Sequence, residues 1–233
     1  MKSFLVGFKD SFSKYKKHDE RWKHLVLGIL VSFISLFVFL NIIEEYFENG
    51  GNYAIDKIAI NFVKSIETPL LSKIVYKVTT IGNSSSVIII TILGVLFLVY
   101  KNFKNEALFL ASNILGVWLL NEALKAFFKR NRPDIRIIEV HGYSLPSGHA
   151  MIFMTLAIIA SYLILIYLKG MPIRWFFTTL LIMLAIAIGL SRVYLRVHYL
   201  SDVLAGWSAG AFWSALNIIF HRYSHYKKNA RHF

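Results

Sequence analysis

Six long apolar runs divide this sequence, and they constrain its fold more than any other feature. A helix that spans a bilayer needs about 20 largely apolar residues, and over that length only a helix satisfies all its own backbone hydrogen bonds in lipid. We therefore predict an all-α, polytopic membrane protein with six transmembrane helices. The runs are Leu25–Ile43, Val87–Tyr100 (extended back towards Gly82), Ala107–Leu124, Ala150–Leu168, Trp175–Leu190 and Val203–Phe220.

The composition agrees with this class and excludes others. Of the 233 residues, 56% are hydrophobic and 17% are charged, whereas typical soluble proteins have about 45–50% and about 25%. There is no cysteine, which excludes a thiolate nucleophile, a zinc–thiolate site and a disulfide framework. The net charge of +13 is spread over membrane flanks and loops, so it predicts contact with anionic lipid and no nucleic-acid partner.

The distribution of Lys and Arg predicts the orientation in the cell membrane. With both termini in the cytoplasm, 15 of the 26 Lys and Arg residues lie inside, concentrated at the two ends of the chain. This arrangement gives a basic cytoplasmic segment 1–24, a six-helix membrane domain 25–220 and a basic cytoplasmic tail 221–233. The loop 45–83 then lies outside the cytoplasm. No obligate protein partner is indicated by the sequence.

The loop 45–83 carries two amphipathic helix patterns. The first runs over residues 55–66, where apolar residues recur at helical spacing. In the second, Thr68 is typical of an N-cap, a proline follows it, and Gly82 is typical of a helix end. Two short interfacial helices on the membrane surface fit these patterns, and a small helical cap packed on the bundle fits them equally well.

Three clusters of polar residues lie beside the predicted helix ends, and the predicted topology puts all three at the non-cytoplasmic surface. Ionisable groups are costly at a membrane boundary, so their convergence there indicates a functional site. The clusters are Lys125 with Arg132-Pro133, then Pro146-Ser147-Gly148-His149, then Ser191-Arg192 with His198 and Asp202.

Five of these residues predict a site for a phosphate group. Lys125, Arg132 and Arg192 can surround its oxygens, because guanidinium offers a planar fork and ammonium a compact charge. Ser147 can donate its hydroxyl, and Gly148 allows the backbone N–H at a helix start to approach closely. The motifs contain no cluster of Asp or Glu that would hold magnesium, so we expect no metal ion and no other cofactor.

His198 and Asp202 are four residues apart and share one helix face if the last helix begins near this turn. The carboxylate would then hold one ring nitrogen and leave the other free to attack phosphorus, while His149 protonates the leaving oxygen. The pattern predicts phosphoryl transfer through a phosphohistidine. Water activated by His149 would then release phosphate. A non-catalytic lipid-phosphate carrier is the alternative, and it would have no need of the His198–Asp202 pair.

Taken together, the clusters resemble the three-part signature of the type 2 phosphatidic-acid phosphatases. All eleven signature residues are present, in order. The layout is most similar to the bacterial membrane members, which include phosphatidylglycerol-phosphate phosphatase B and the undecaprenyl pyrophosphate phosphatases. The resemblance implies that the nucleophile is His198, with Asp202 as its partner and His149 as the acid. It also implies a metal-free phosphate site formed by Lys125, Arg132, Ser147, Gly148 and Arg192.

The resemblance further implies an integral membrane lipid phosphatase whose site faces away from the cytoplasm. Three substrates remain open, because the signature binds phosphate and not the lipid tail: undecaprenyl pyrophosphate, phosphatidylglycerol phosphate and phosphatidic acid. Vanadium haloperoxidases share this site, but they are soluble, and the six apolar runs argue against that assignment. A soluble phosphatase is a further alternative, and recovery of the protein in a salt-washed, detergent-free soluble fraction would support it.

Two charged residues near the signature are open to more than one interpretation. Glu122 lies three residues before Lys125, and it is expected either to pair with that lysine or to make a polar contact between helices. Arg196 lies between Arg192 and His198, and we expect its side chain to point to water rather than to a second phosphate or a headgroup.

Overall fold

The structure is a computed structural model that describes residues 21–168 and 170–230. These residues form eight α-helices and no strand, as the apolar runs predict. Most of the predicted basic segment 1–24 and the end of the tail 221–233 lie outside the described residues. The helices are α1 (Arg21–Glu48), α2 (Ala54–Ile66), α3 (Pro69–Ile81), α4 (Ser84–Tyr100), α5 (Lys104–Phe128), α6 (Gly148–Tyr167), α7 (Met171–Tyr194) and α8 (Leu200–Ala230).

Five of the described helices, α1, α5, α6, α7 and α8, are each long and apolar enough to cross a membrane. The second predicted span is different, because α4 has only 17 residues. It reaches the necessary length only together with α3, from which it is bent by 47°. The described residues therefore contain five spans, or six, the predicted number, if this bent pair is one broken span.

The boundary between α3 and α4 follows the predicted capping signals. Thr68 accepts a hydrogen bond from the backbone N–H of Leu71 at 3.2 Å, and Gly82 ends α3. Gly82 also leaves no room for a side chain, since a Cβ there would lie 2.6 Å from Cγ2 of Ile188 and 2.9 Å from Cδ2 of His149. The bend is therefore packed directly against α6 and α7.

The helix α6 lies at the centre of the bundle, between α7 and α8, and α1 packs on α8. A Cβ at Gly210 of α8 would lie only 2.4 Å from the carbonyl oxygen of Met151 on α6, so these two helices approach backbone to backbone. The N-terminal ends of α6 and α8 meet as a result, and the backbone N–H of Ser147 donates to the carbonyl of Asp202 at 3.0 Å. This contact joins the second and third polar clusters.

The helices α2 and α3 form a cap over one end of the bundle. They pack against α7, and α2 also contacts α8, which is the second of the two arrangements predicted for the loop 45–83. Large apolar side chains of both helices stay exposed, including Ile58, Phe62, Leu70 and Ile74. Their placement at a membrane surface stays a prediction.

Candidate active site

A connecting segment, residues 129–147, carries the polar clusters towards each other between α5 and α6. The backbone N–H of Ser144 donates to the carbonyl of Arg130 at 2.8 Å, and that of Ile137 donates to the carbonyl of Leu195 at 3.1 Å. These bonds fix the segment to itself and to the turn between α7 and α8. The three clusters therefore form one site, although up to 77 residues separate their members in the sequence.

The three predicted cations converge beside His149. Lys125 lies in the last turn of α5, Arg132 lies in the connecting segment, and Arg192 lies in the last turn of α7. All three, together with His198, are close enough to His149 to act on it electrostatically. Burial lowers the pKa of Arg132, but a guanidinium remains charged at neutral pH. Such a cluster of like charges is favourable only with an anion between its members.

Ser147 and Gly148 lie at the start of α6, beside these cations. Ser147 is fully buried, and its hydroxyl has no hydrogen-bond partner among the described residues. A Cβ at Gly148 would lie 3.0 Å from Oδ1 of Asn121 and 3.4 Å from Nζ of Lys125. The absence of that carbon keeps space open beside the ammonium group, at the positive end of the α6 dipole. The groups around this position are of the kind that bind a small anion.

The orientation of the His198 ring follows from its neighbours. Nη1 of Arg132 lies 3.0 Å from Nε2, and because arginine can only donate, Nε2 must carry the lone pair and Nδ1 the proton. Oγ of Ser144 lies 3.3 Å from Nδ1 and donates to Oδ2 of Asp202. Oδ2 itself is 3.6 Å from Nδ1. The expected His198–Asp202 contact is therefore reinforced by Ser144, which the sequence analysis did not identify.

The protonation state of His198 is set mainly by burial, since the side chain is 3% exposed. Burial lowers the pKa of His198 to about 4, although Asp202 acts in the opposite direction. The imidazole is therefore neutral at neutral pH. Its lone pair at Nε2 faces the guanidinium of Arg132.

The bent pair α3–α4 supplies partners to two of the predicted site residues. Nε2 of His149 lies 3.0 Å from Oδ1 of Asn83, the residue that joins the two helices. Nη1 of Arg192 donates to Oγ1 of Thr79 on α3 at 2.8 Å. Sequence analysis missed Asn83 and Thr79, because their only signal was that they lie within three residues of Gly82.

Behind Asp202 lies a second cation that sequence analysis also missed. Nη1 of Arg130 is 2.6 Å from Oδ1 of Asp202, and Nη2 is 2.8 Å from Oδ2 of Asp56 on α2. All three side chains are buried. Arg130 belongs to a basic stretch at the end of a membrane helix, where charges ordinarily flank the bilayer and carry no chemistry.

The two charged residues near the signature have different outcomes. The predicted pairing of Glu122 with Lys125 is confirmed, with Oε1 3.2 Å from Nζ. The expectation that Arg196 points to water is wrong, because its Nη2 donates to both carboxylate oxygens of Glu67 at 2.9 Å. Glu67 lies between α2 and α3, and the packing of this cap on the bundle brings it over the turn that holds Arg196.

In the part of the chain that the structure describes, no three His, Asp or Glu side chains meet as the ligands of a metal ion would. What meets instead is a set of three cations, a buried hydroxyl and a neutral imidazole. This arrangement is suited to binding a phosphate group and to transferring it to nitrogen.

The spans, with a cluster of cations and histidines at one end of the bundle, identify an integral membrane protein. Comparison with known proteins assigns its family. The PAP2 superfamily matches residues 105–226, and the chain belongs to this superfamily. It is 29% identical over 181 residues to phosphatidylglycerophosphatase B of Bacillus subtilis, which covers 76% of this chain and 88% of the relative. It is 32% identical over 130 residues to an undecaprenyl-diphosphatase of Sulfolobus acidocaldarius, which covers 53% of this chain and 59% of the relative.

Two crystal structures share the fold. The transmembrane PAP2-type phosphatidylglycerolphosphate phosphatase of Bacillus subtilis superposes with a TM-score of 0.66 at 24% identity, covering 86% of this chain and 96% of that one. LpxE of Aquifex aeolicus superposes with a TM-score of 0.59 at 22% identity, covering 72% and 96%. The predicted family and the predicted all-α membrane fold are confirmed, and the protein is a multi-pass membrane protein.

Proposed function

We propose that this protein is an integral membrane lipid phosphatase that works through a phosphohistidine on His198 and needs no metal cofactor. The observation that carries the proposal is the placement of the two ring nitrogens. Nδ1 faces Ser144 and Asp202, whereas Nε2 faces Nη1 of Arg132 at 3.0 Å. A phosphate held by that guanidinium lies next to the only lone pair of the ring.

In the proposed first step, Nε2 of His198 attacks phosphorus, and the bond between phosphorus and the lipid oxygen breaks. His149 donates a proton to that oxygen. Oδ1 of Asn83 can only accept, so Nε2 of His149 donates to it and the ring is held in a fixed orientation; the acid is the protonated ring, which becomes neutral when it gives its proton to the lipid oxygen. The charge on the equatorial oxygens is stabilised by Lys125, Arg132, Ser147, Gly148 and Arg192.

In the proposed second step, water attacks the phosphohistidine, His149 takes a proton from that water, and the phosphorus–nitrogen bond breaks. The ring of His198 carries positive charge while phosphorus is bound to it. The Asp202 carboxylate stabilises this charge, both directly and through Ser144. Free phosphate and the unmodified enzyme result.

The substrate is proposed to be a lipid phosphate that reaches the site from the bilayer. Among the three predicted substrates, phosphatidylglycerol phosphate comes first, because the relative named for it matches the larger part of this chain. Undecaprenyl pyrophosphate follows, in view of the second relative. Phosphatidic acid is the third.

The test is phosphate release by purified protein in detergent with chelator present. Each of the three lipids is compared between the native chain and His198→Ala. Release that survives the chelator and disappears in the variant supports the proposal, and the values of kcat/KM rank the substrates. A protein that binds these lipids equally well with and without His198 and releases no phosphate would be a carrier.

The site is also proposed to face away from the cytoplasm, with both termini inside. The chain has no cysteine, so single cysteines report the sides of the membrane without background. Glu139→Cys lies in the exposed part of the connecting segment, and Lys101→Cys lies at the opposite end of the bundle. A membrane-impermeant maleimide applied to intact cells is expected to label only the first. Labelling of the second alone would reverse the orientation.

A further inference from the structure

Two members of a buried ion network around Asp202 have no role in the mechanism proposed above, namely Asp56 and Arg130. The network consists of Asp56, Arg130 and Asp202, which are 4%, 7% and 0% exposed. Buried charges are costly, and one carboxylate opposite Arg130 would suffice to neutralise it. A second carboxylate, contributed from α2, therefore calls for an explanation.

The two oxygens of Asp202 have different partners. Oδ1 accepts from Nη1 of Arg130 at 2.6 Å. Oδ2 accepts from the hydroxyl of Ser144 and from the backbone N–H of Tyr199 at 2.9 Å, and it is the oxygen nearest His198. Arg130 therefore lies on the side of the carboxylate away from His198, where it both holds Asp202 and withdraws part of its negative charge.

Asp56 competes with Asp202 for that guanidinium. Its Oδ2 accepts from Nη2 of Arg130 at 2.8 Å, and its Oδ1 accepts from the backbone N–H of Ser201 at the start of α8 at 2.8 Å. The hydroxyl of Ser201 also donates to Asp56 at 2.7 Å. The carboxylates outweigh the effect of burial and raise the pKa of Arg130, so the guanidinium stays charged.

The charge balance of the network then favours a positive His198. Two carboxylates and one guanidinium sum to one negative charge next to a neutral imidazole. Without Asp56, Asp202 and Arg130 would form a neutral pair, and the ring would face no net countercharge. Because the site is buried, this difference of one charge has a large electrostatic effect on the His198 ring.

Resting on the proposed function, we propose that Asp56 is a positioning residue for the reaction. Asp56 neutralises part of the charge of Arg130, so the Asp202 carboxylate keeps a net negative charge. That charge stabilises the positive His198 ring that forms when phosphorus bonds to Nε2. The helix α2 thus contributes to the site although it lies outside the three motifs.

The test compares Asp56→Asn with a matched control, Glu67→Gln. Both changes convert a carboxylate of the same cap to an amide, and both acids pair with an arginine, but Glu67 pairs with Arg196 and not with Arg130. We expect Asp56→Asn to lower kcat by about 10- to 100-fold at unchanged KM, the range typical of residues that orient a functional group. Glu67→Gln is expected to keep kcat within about threefold, as for an ion pair near the surface.

A binding measurement separates this role from a merely structural one. Vanadate can bond to a histidine nitrogen and so resembles the attacked phosphorus, whereas inorganic phosphate binds without that bond. We expect Asp56→Asn to raise the Kd of vanadate about tenfold or more and to leave the Kd of phosphate unchanged. Equal losses for both anions would mean that Asp56 only maintains the shape of the site, and the proposal would be overturned.

A double variant covers the case in which Asp56→Asn folds poorly. In Asp56→Asn/Arg130→Gln the guanidinium is also removed, so Asp202 regains its net negative charge. Its vanadate Kd is expected to lie closer to that of the native chain than to that of a variant whose network has no net charge. That reference is Asp56→Asn or, if Asp56→Asn does not fold, Asp202→Asn. A double variant as weak as that reference would contradict the charge argument.

The two proposals fail in different ways. If the native chain releases no phosphate in a manner that depends on His198, the proposed function is wrong, while the ratio of vanadate to phosphate affinity still tests Asp56. If turnover is normal in Asp56→Asn, the proposed function stands and the positioning role is wrong.

Discussion

The two ends of the helical bundle bury polar groups in different ways. At the site end, full charges meet: Arg130 contacts two carboxylates from different parts of the chain. At the opposite end, the buried carboxylate of Glu106 accepts from the hydroxyl of Tyr167, and the hydroxyl of Tyr162 lies 2.9 Å from Nδ1 of His221. Arg222 also lies close enough to Tyr162 and Tyr167 to act on them electrostatically, so the opposite end carries charge as well. A guanidinium shared by two buried carboxylates is the costlier arrangement, and we therefore expect the chemistry at the site end.

The largest effect is expected from removing charge at the site end. Asp202→Asn leaves the shape of the side chain but removes the countercharge of His198, so kcat is expected to fall by about 10⁴, as for the equivalent change in serine-protease triads. Glu106→Gln is the matched change at the other end and is expected to retain kcat within about twofold. Steady-state phosphate release measures both. Similar losses in the two variants would remove the distinction between the ends.

A smaller effect is expected from Asn83→Ala, which removes the acceptor beside Nε2 of His149. If His149 protonates the leaving oxygen, misplacing its proton should lower kcat/KM for a lipid phosphate by about 100-fold. The loss should be much less for p-nitrophenyl phosphate, whose leaving group needs no proton.

The control for this prediction is Asn41→Ala, since Asn41 is an exposed amide of α1 that donates to the carbonyl of Phe37 in its own helix. It should leave both substrates unaffected. An equal loss of kcat/KM for both substrates in Asn83→Ala would mean that Asn83 supports the fold of the site and not the acid.

The pH dependence sharpens the comparison further. Burial lowers the pKa of His198 from 6.5 to about 4. Attack requires the neutral ring, so kcat/KM should be insensitive to His198 protonation down to about pH 4 and fall about tenfold per pH unit below it. Initial rates in buffers from pH 3 to 8 measure this limb. A fall in rate centred near 6.5, seen with a substrate whose phosphate does not titrate there and while the protein stays folded, would show that burial does not lower the pKa of His198 as described.

The smallest effect on activity is expected at the opposite end of the bundle. Tyr167→Phe removes the hydroxyl that donates to Glu106, whose side chain is buried. The free energy of unfolding should fall by about 1–3 kcal/mol, because a buried acceptor loses its partner. Thermal unfolding in detergent measures the loss, and kcat should be unchanged. A large loss of kcat without a loss of stability would show that the two ends are coupled.

Local signals in the sequence predicted much of this structure. Thr68 and Gly82 mark the ends of α3, because capping depends on a few neighbouring residues. The pairing of Glu122 with Lys125 follows from their spacing on one helix. The length of the apolar runs predicted the spans, since bilayer thickness sets that length.

The bend between α3 and α4 was less evident from the sequence. The apolar run Val87–Tyr100 predicted a span, but α4 alone is too short to cross, and α3 looked like a surface helix. Gly82 signalled only a helix end. Its close contacts with Ile188 and His149 show that the same glycine allows the bend to pack against the site.

The sequence by itself determined the helices, the family and the set of residues proposed to carry the phosphate chemistry, because helix length, caps and motif spacing are local properties of the chain. The tertiary structure alone decided which groups hold those residues in place. Arg130 and Asp56 are 74 residues apart, Arg196 and Glu67 129 residues apart, and Ser144 and Asp202 58 residues apart. No local pattern specifies such pairs; they arise where helix packing brings buried or half-buried charges close enough to compensate one another.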